Sequence, residues 1–470
     1  MAWSTTISLA LSVREIPPIV LPDVEREHHG VLAPTGAQVG LFIRYLRHKP
    51  GRGFCIIYAV DAVNASAAPR RPRTRRTSGL DRWVTVTMSE LTPRANVTVQ
   101  RFPHDSRLPA LAESCAPVPG SPVFSALEVA ARTCLSDNSC NVISATAEPV
   151  RYKPASRCVI RYRLVLQRAT PEGRQQHNMT LFGKLYRHPE QAVAVHSTMQ
   201  GLYAEQEQTD QAVIPRPLGI AETLGLSLNE TVPPAAGAQP GPSRTGLDAM
   251  RPRFLRDRGG RVLEPVMPDE ELSLTGTALA RLHTSHVQPK GTPRTGAMEA
   301  QRVVERAAVI AAGNPAQAQA VQRWGNDLAR RLEQLRPLVY GPAHGGFKAS
   351  QLLFGHHQVF VVDLDGFCAA DPALDVGYFL AYLRPSALWH GRPGMRQWYE
   401  EAAARFIDAY ARASSRRGVD DVLLQGILER TRCYEAALLF KIATRRVNRL
   451  NSPRPRELSA MLAEIARLIG

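Results

Sequence analysis

The sequence predicts an α+β chain of two lobes, with a β-rich first half built around a duplicated β unit and a mostly helical second half. Three observations predict it. The segment LRHKPGRGFCIIYAV from Leu46 aligns without gaps on VRYKPASRCVIRYRL from Val150, which marks an internal repeat. A run rich in Pro, Gly, Ala and Ser begins at Pro233 and reads as a loop or lobe boundary. From Leu274 the pattern LTGTALARLHTSH, and then the Ala/Arg/Gln/Leu-rich segment from Ala297 to Leu335, has helical composition and spacing. At 470 residues the chain exceeds the size at which one core keeps growing, so more than one packed unit is expected.

Within the repeat, Arg47, Lys49, Pro50, Ile56 and Tyr58 fall on Arg151, Lys153, Pro154, Ile160 and Tyr162. In each copy a basic turn with proline leads into a run of Ile, Val and Tyr, the signature of a loop followed by a strand. A second strand candidate follows each: RWVTVTMSEL near Trp83, and MTLFGKLYR ending at Arg187. Next, Ala192, Val195, Met199, Leu202 and Tyr203 recur at helical spacing, and LGIAETLGLSLNETV reads as a hairpin. A strand carrying Lys184, a helix and two strands resembles the element order of a kinase-type small lobe. The expected organisation is an N-terminal β-rich unit over 1–148, a small lobe over 149–232, a linker or insertion over 233–262 and a helical catalytic-type lobe over 263–470.

Hydrophobic residues at 44% and charged residues at 21% are ordinary for a globular chain. No stretch approaches the roughly 20 apolar residues of a membrane span. The N-terminus has no basic residues before its short apolar run, so a cytoplasmic location without membrane contact is expected. The seven cysteines are scattered without a CxxC pair, which gives zinc no support and suggests buried thiols. The net charge of +16 raises a nucleic-acid partner, but the dense run Arg70 to Arg76 lies in a Pro/Ala/Ser/Thr-rich stretch and is expected to be a solvated loop. Lysine is rare, occurring only at Lys49, Lys153, Lys184, Lys290, Lys348 and Lys441.

The most informative stretch is HGGFKASQLLFGHHQVFVVDLDGFCAADPALDVGYFLAYL from His344. Two short apolar runs, Gln351 to Phe354 and Val359 to Val362, predict a hairpin that ends in Asp363. The block resembles the aminoglycoside phosphotransferase and choline kinase-like superfamily, where a His-Gly-Asp loop ends in a metal-binding amide and a second Asp follows a short hairpin. His344 and Gly345 match, Gln351 takes the amide position, Asp363 the metal-binding carboxylate, and Asp371 and Asp375 the following helix signature. ALARLH ending at His283 matches the helix that precedes this region. The resemblance covers roughly Pro149 to the C-terminus. It implies a bilobal protein-kinase-like fold, with ATP and magnesium as cofactors.

Phosphoryl transfer needs a cation on the nucleotide phosphates, oxygen ligands for magnesium and a carboxylate to orient the attacking hydroxyl. The resemblance assigns Lys184 to the phosphates and Asp363 with Gln351 to the metal, as hard oxygen donors suit magnesium. No GxGxxG loop precedes Lys184; YKPASR stands in its place, with Lys153 or Arg157 near the phosphates and Glu230 a further cofactor-side candidate. Glu190, Glu205 and Glu207 are all possible helical partners of Lys184. Gly346 occupies the position of the catalytic Asp, and glycine can neither accept a proton nor align a hydroxyl. Lys348 either reaches the transferred phosphoryl group or is a solvated loop residue, and Asp365 is the nearest alternative base. Asp371 and Asp375 are expected to cap and brace the next helix, and His344 to pack beneath the loop.

The sequence thus predicts a kinase that uses nucleotide and the alcohol group of a small hydroxylated metabolite. Its alternative is a catalytically impaired pseudokinase that binds nucleotide or a protein partner as a scaffold, and no nucleic-acid partner is expected.

Overall fold

A computed structural model of the chain describes residues 39–49, 53–62, 83–88, 97–170, 173–207, 213–232, 244–256, 262–355, 357–447 and 457–470. The basic run from Arg70 and the Pro/Gly-rich stretch from Pro233 lie outside the described residues.

The first segment of the repeat forms a hairpin of β1 (Val39–Lys49) and β2 (Gly53–Ala62), with Lys49 opposite Gly53. Strands β3 (Trp83–Met88) and β4 (Val97–Arg101) complete an antiparallel sheet in the order β1-β2-β3-β4. The second segment forms the hairpin of β5 (Asn141–Lys153) and β6 (Arg157–Thr170), with Lys153 opposite Arg157. The two basic turns therefore close equivalent hairpins in different sheets.

Between the sheets lies a helix that the β-rich reading of 1–148 omits, α1 (Pro122–Leu135). Ser121 caps it by accepting from the Phe124 N–H at 3.3 Å, and Pro122 sits where its missing donor is harmless. Its buried face is Val123, Phe124, Leu127, Ala130 and Ala131. The boundary expected at 149 also needs correction, because it falls inside β5. Pro149 reads as a break in sequence, yet β5 is an edge strand with a register shift between Pro149 and Arg151, where a missing ladder donor is tolerated.

The second sheet continues with β7 (Gly173–Tyr186), β8 (Pro217–Ala221) and β9 (Leu226–Glu230), ordered β5-β6-β7-β9-β8. Strand alternation divides its faces. Cys158, Ile160, Tyr162, Leu164 and Leu166 of β6 are buried in one core with Leu181, Leu185, Leu226, Leu228 and the apolar face of α1. Arg157, Lys184 and Tyr186 fall on the other face, where α2 (Pro189–Glu207) packs.

The second lobe holds α3 (Asp269–His283), α4 (Gly296–Gly313) and α5 (Ala318–Gln334). The stretch expected to be helical from Ala297 to Leu335 is thus two helices packed on each other. The break is at Asn314-Pro315, since Asn314 leaves the helical region at φ −141° and a residue before proline disfavours it. Short strands β10 (Gly341–Ala343), β11 (Leu352–Phe354), β12 (Val359–Val361) and β13 (Cys368–Ala370) then carry the informative block, β10 pairing β13 and β11 pairing β12. Helices α6 (Ala373–Leu383), α7 (Met395–Arg416), α8 (Asp421–Val447) and α9 (Leu458–Ile469) complete it. Helix α6 is buried on every side and packs against α8. At its end the buried Arg384 pairs with Glu435 and Glu464 and lies over the Tyr399 ring at 4.2 Å. A buried charge is tolerated because both partners reach it. Of the cysteines, Cys140 and Cys158 are buried, while the other five are half-buried. No helix among the described residues is long and apolar enough to cross a membrane.

Candidate active site

Lys184 projects from β7 across the cleft between the lobes, and its Nζ lies 2.5 Å from both Asp363 Oδ1 and Asp365 Oδ1. Asp363 ends the β11–β12 hairpin in a left-handed conformation, φ +70°, which turns the chain so that two carboxylates separated by one residue face one lysine. Arg157, at the start of β6, pairs with Asp365 and stands 3.5 Å from Asp363. The Tyr186 hydroxyl donates to Asp365 Oδ1 at 2.9 Å. Burial opposes ionisation of Asp363, but the charge and hydrogen bond of Lys184, then Arg157 and Gln351, hold its carboxyl far below the usual range. Burial and the Asp365 charge push the Tyr186 phenol up, so it stays a donor.

Gln351 lies beside Asp363, its Nε2 donating to Oδ2 at 3.4 Å. Its Oε1 is buried and has no hydrogen-bond partner among the described residues. A buried amide oxygen left unpaired is costly, and here it sits next to a carboxylate. Among the described residues no group of three or more His, Cys, Asp or Glu could hold a metal; the oxygen donors here are two carboxylates and an amide.

The loop from His344 to Phe347 is organised from behind by Asp375. Its Oδ2 accepts from the backbone N–H of His344 at 2.6 Å and Gly345 at 3.3 Å, and its Oδ1 from Gly346 at 3.0 Å and Phe347 at 3.2 Å. Asp375 is fully buried, which disfavours its charge, yet the hydrogen bond and charge of His283, the charge of His344 and the backbone bonds keep its carboxyl below the usual range. It does more than brace α6, the role expected from sequence: it folds the loop. Asp371 is held separately by Arg430 at 2.7 Å and accepts from Ala373 N. His344 is buried beneath the loop, Nε2 3.2 Å from Val362 O. Gly345 has φ +72°, and a Cβ there would run into the Gly366 carbonyl, so the close approach of loop and hairpin requires glycine. At Gly346 the opposite holds: φ is ordinary and a Cβ would meet nothing within 4 Å.

Other predicted residues are placed differently. The Glu230 carboxyl, pushed up by burial and opposed by Arg216, lies on the face of the sheet opposite Lys184. Glu190 is exposed beside His188, and Glu205 accepts from His286 N, so neither meets Lys184. The side chain of Glu207 lies outside the described residues. Towards the sheet α2 turns His196, 3.4 Å from Ser227, the residue opposite Lys184. Lys153 stands across the hairpin from Arg157. Lys348 is half-buried over the Tyr382 ring at 5.5 Å rather than solvated. A separate concavity lined by Leu202, Glu205, Gln206, Ile214, Arg281 and Ser285 takes in Glu205 but neither Lys184 nor the two aspartates it meets.

Sequence reasoning missed two positioning residues. Arg294 donates to Gly345 O at 2.6 Å and to the Tyr378 hydroxyl at 2.8 Å; no motif marks it. Asp105, buried in the N-terminal unit, accepts from Ala155 N and the Tyr152 hydroxyl, both at 2.7 Å, and from Arg107 N. It thereby holds the turn that presents Arg157. Asp105→Ala strands the Ala155 N–H and should lower unfolding free energy by about 1–3 kcal/mol, the cost of an unpaired buried donor. Urea denaturation measures this, and an unchanged midpoint would contradict the tether.

A family model described as the phosphotransferase enzyme family matches residues 163–423, more than half of the chain. The chain belongs to this family. Its architecture is mixed, with a sheet-rich N-terminal region and a helical C-terminal part. No curated protein sequence matches. Among solved structures, this phosphotransferase-family chain is similar to a glucosamine kinase at 18% identity, covering 92% of each chain with a TM-score of 0.45. A choline/ethanolamine kinase family protein from Mesorhizobium loti is 14% identical, over 74% of this chain and 94% of that one, TM-score 0.41. An ethanolamine kinase of Plasmodium vivax is 9% identical, over 70% and 85%, TM-score 0.41.

Proposed function

We propose that the chain is an ATP- and magnesium-dependent phosphotransferase acting on an alcohol group of a small metabolite. The observation that carries this reading is the meeting of Lys184 with Asp363 and Asp365 across the cleft, beside the unpaired oxygen of Gln351. Magnesium fits these donors, because it favours one or two carboxylates together with substrate phosphates over an all-protein cage. Asp363 and Gln351 would hold it; when bound, it supplies charge neutralisation to the nucleotide's phosphate oxygens. Lys184 and Arg157 occupy the carboxylates here and are the cations that would turn to the phosphates. Positioning and charge of this kind supply most of the acceleration in phosphoryl transfer.

The test is thermal stability with ATP, with and without magnesium. A ligand at about 100 times its dissociation constant stabilises the folded state by about 2.7 kcal/mol. Asp363→Ala should lose the magnesium-dependent part of the shift, and Gln351→Ala should weaken it less. If both variants respond as the parent does, the metal site is elsewhere.

A second reading, a nucleotide-binding scaffold with little catalysis, is favoured by Gly346. Asp365 is a poor substitute base as it stands, since Oδ1 is held by Lys184 and Tyr186 and Oδ2 by Arg157. Magnesium-dependent ATP binding without turnover on any hydroxylated acceptor supports this reading over the first.

A further inference from the structure

Buried charges in this chain are paired almost as a rule: Arg384 has Glu435 and Glu464, Arg430 has Asp371, and Arg294 has Glu299. One region breaks the rule. Beside the loop, among the described residues, the half-buried Lys348, Lys441 and Arg306, with the exposed Arg445 next to them, make no ion pair with any carboxylate. Lys348 Nζ lies 5.5 Å from the Tyr382 ring centroid, and the charge of Arg445 on α8 acts on the Tyr382 phenol. One turn of α6 away, Tyr378 receives Lys441 Nζ on its hydroxyl at 3.4 Å and Arg294 at 2.8 Å. Arg306 reaches the same stretch of α8 through Ala437 O at 3.3 Å.

The described carboxylates near this group pair with other cations. Glu299 Oε1 is taken by Arg294 and Arg302, and Asp363 by Lys184 and Arg157. The Glu299 charge, whose buried Oε2 has no hydrogen-bond partner among the described residues, also acts on Arg306 and Lys441 but is a single charge against several cations. The chain after α8 offers none: residues 448–456 read NRLNSPRPR, without an acid. Both lysines feel the imbalance. Burial first, then the charges of Lys441 and Arg445, lower Lys348 to about 8; burial, then Arg306 and Arg445, lower Lys441 to about 8. Half-buried cations without partners destabilise a fold unless a counter-charge arrives, and the side open to solvent, at the exposed Arg151 and Arg445, is where it can enter.

We infer that Lys348, Lys441, Arg306 and Arg445 form an anion-binding subsite next to the Gly346 position, and that the acceptor is a hydroxylated metabolite carrying a phosphate or carboxylate group. The acceptor part rests on the phosphotransferase reading; the anion subsite does not. Lys348 is two residues from Gly346 in the same loop, so an anion held there would bring its neighbouring hydroxyl towards the nucleotide side.

The experiment is calorimetric titration of the full chain, with and without saturating magnesium ATP, using inorganic phosphate, glucose, glucosamine, gluconate and glucose 6-phosphate. Phosphate should bind, and gluconate or glucose 6-phosphate should bind at least about tenfold more tightly than glucose, with glucosamine weakest; which of the two anions leads identifies the charged group. Lys441→Met should reduce anion affinity by about tenfold and leave ATP affinity within twofold. Arg445→Gln, an exposed change, makes the same test if Lys441→Met does not fold. The inference is overturned if no anion binds, if glucosamine binds as well as the anions, if saturating ATP abolishes anion binding, or if the folded variants keep parental anion affinity. Anion binding without any ATP binding would leave the subsite standing and remove the kinase reading instead.

Discussion

Gly346→Asp should raise ATP turnover by roughly two orders of magnitude, the lower end of what general-base assistance contributes. The substitution is sterically free, because φ at this position is ordinary and a Cβ meets nothing within 4 Å. The backbone N–H stays bonded to Asp375 Oδ1, so the loop need not move to take the side chain. The new carboxylate would stand two residues from Lys348, whose charge would keep it ionised. Turnover of ATP by both proteins across the acceptor panel measures the effect. A parent that is active and loses activity on gaining the aspartate would show that this chain uses another base, with Asp365 the nearest, and would end the view of Gly346 as an impairment. Two proteins that bind magnesium ATP and never turn it over would favour the scaffold.

Asp375→Ala should be the most disruptive single change near the site, costing about 3–5 kcal/mol as expected for breaking a buried charged network. Four backbone donors, from His344 to Phe347, lose their acceptor at once, and His283 keeps only the Tyr410 hydroxyl on Nδ1. Asp375→Asn does not rescue this, since the amide turns a donor towards backbone donors. Misplacement of the loop by about 1 Å would lower any transfer activity by about 100-fold. The pH dependence has a definite sign. Because the folded carboxyl lies below its unfolded value, its stabilisation is fully present above the unfolded carboxylate value of about 4 and is lost as pH falls through the folded one. Denaturant unfolding at neutral pH and in acid should therefore show the parent converging on the variant at low pH. A variant as stable as the parent at neutral pH would refute the clasp.

Much of this site is legible in local sequence. The hairpin ending in Asp363, the glycine pair after His344 and the strand carrying Lys184 each follow from a turn, an alternation or a spacing within a few residues, whereas the amide role of Gln351 is what the family resemblance implies. These patterns, with the repeat around Lys49 and Lys153, also determine the two-lobed α+β class, because period-2 and period-3.6 burial are properties of contiguous chain. The tertiary structure alone decided the rest. Whether Lys184 would meet a glutamate of α2 or two aspartates of the second lobe depends on how the lobes face each other, and the answer is Asp363 and Asp365. Glu230 was excluded by the parity of β9, which turns it to the far face. Asp375 looked like a helix brace until the loop folded over it. The cations around Lys348 come from α4, α8 and the loop, remote in sequence, and their imbalance exists only once helix packing brings them together without a carboxylate paired to them among the described residues. Charge in a sequence is a sum, whereas its effect depends on distance and burial, and those two quantities are set by the packed core.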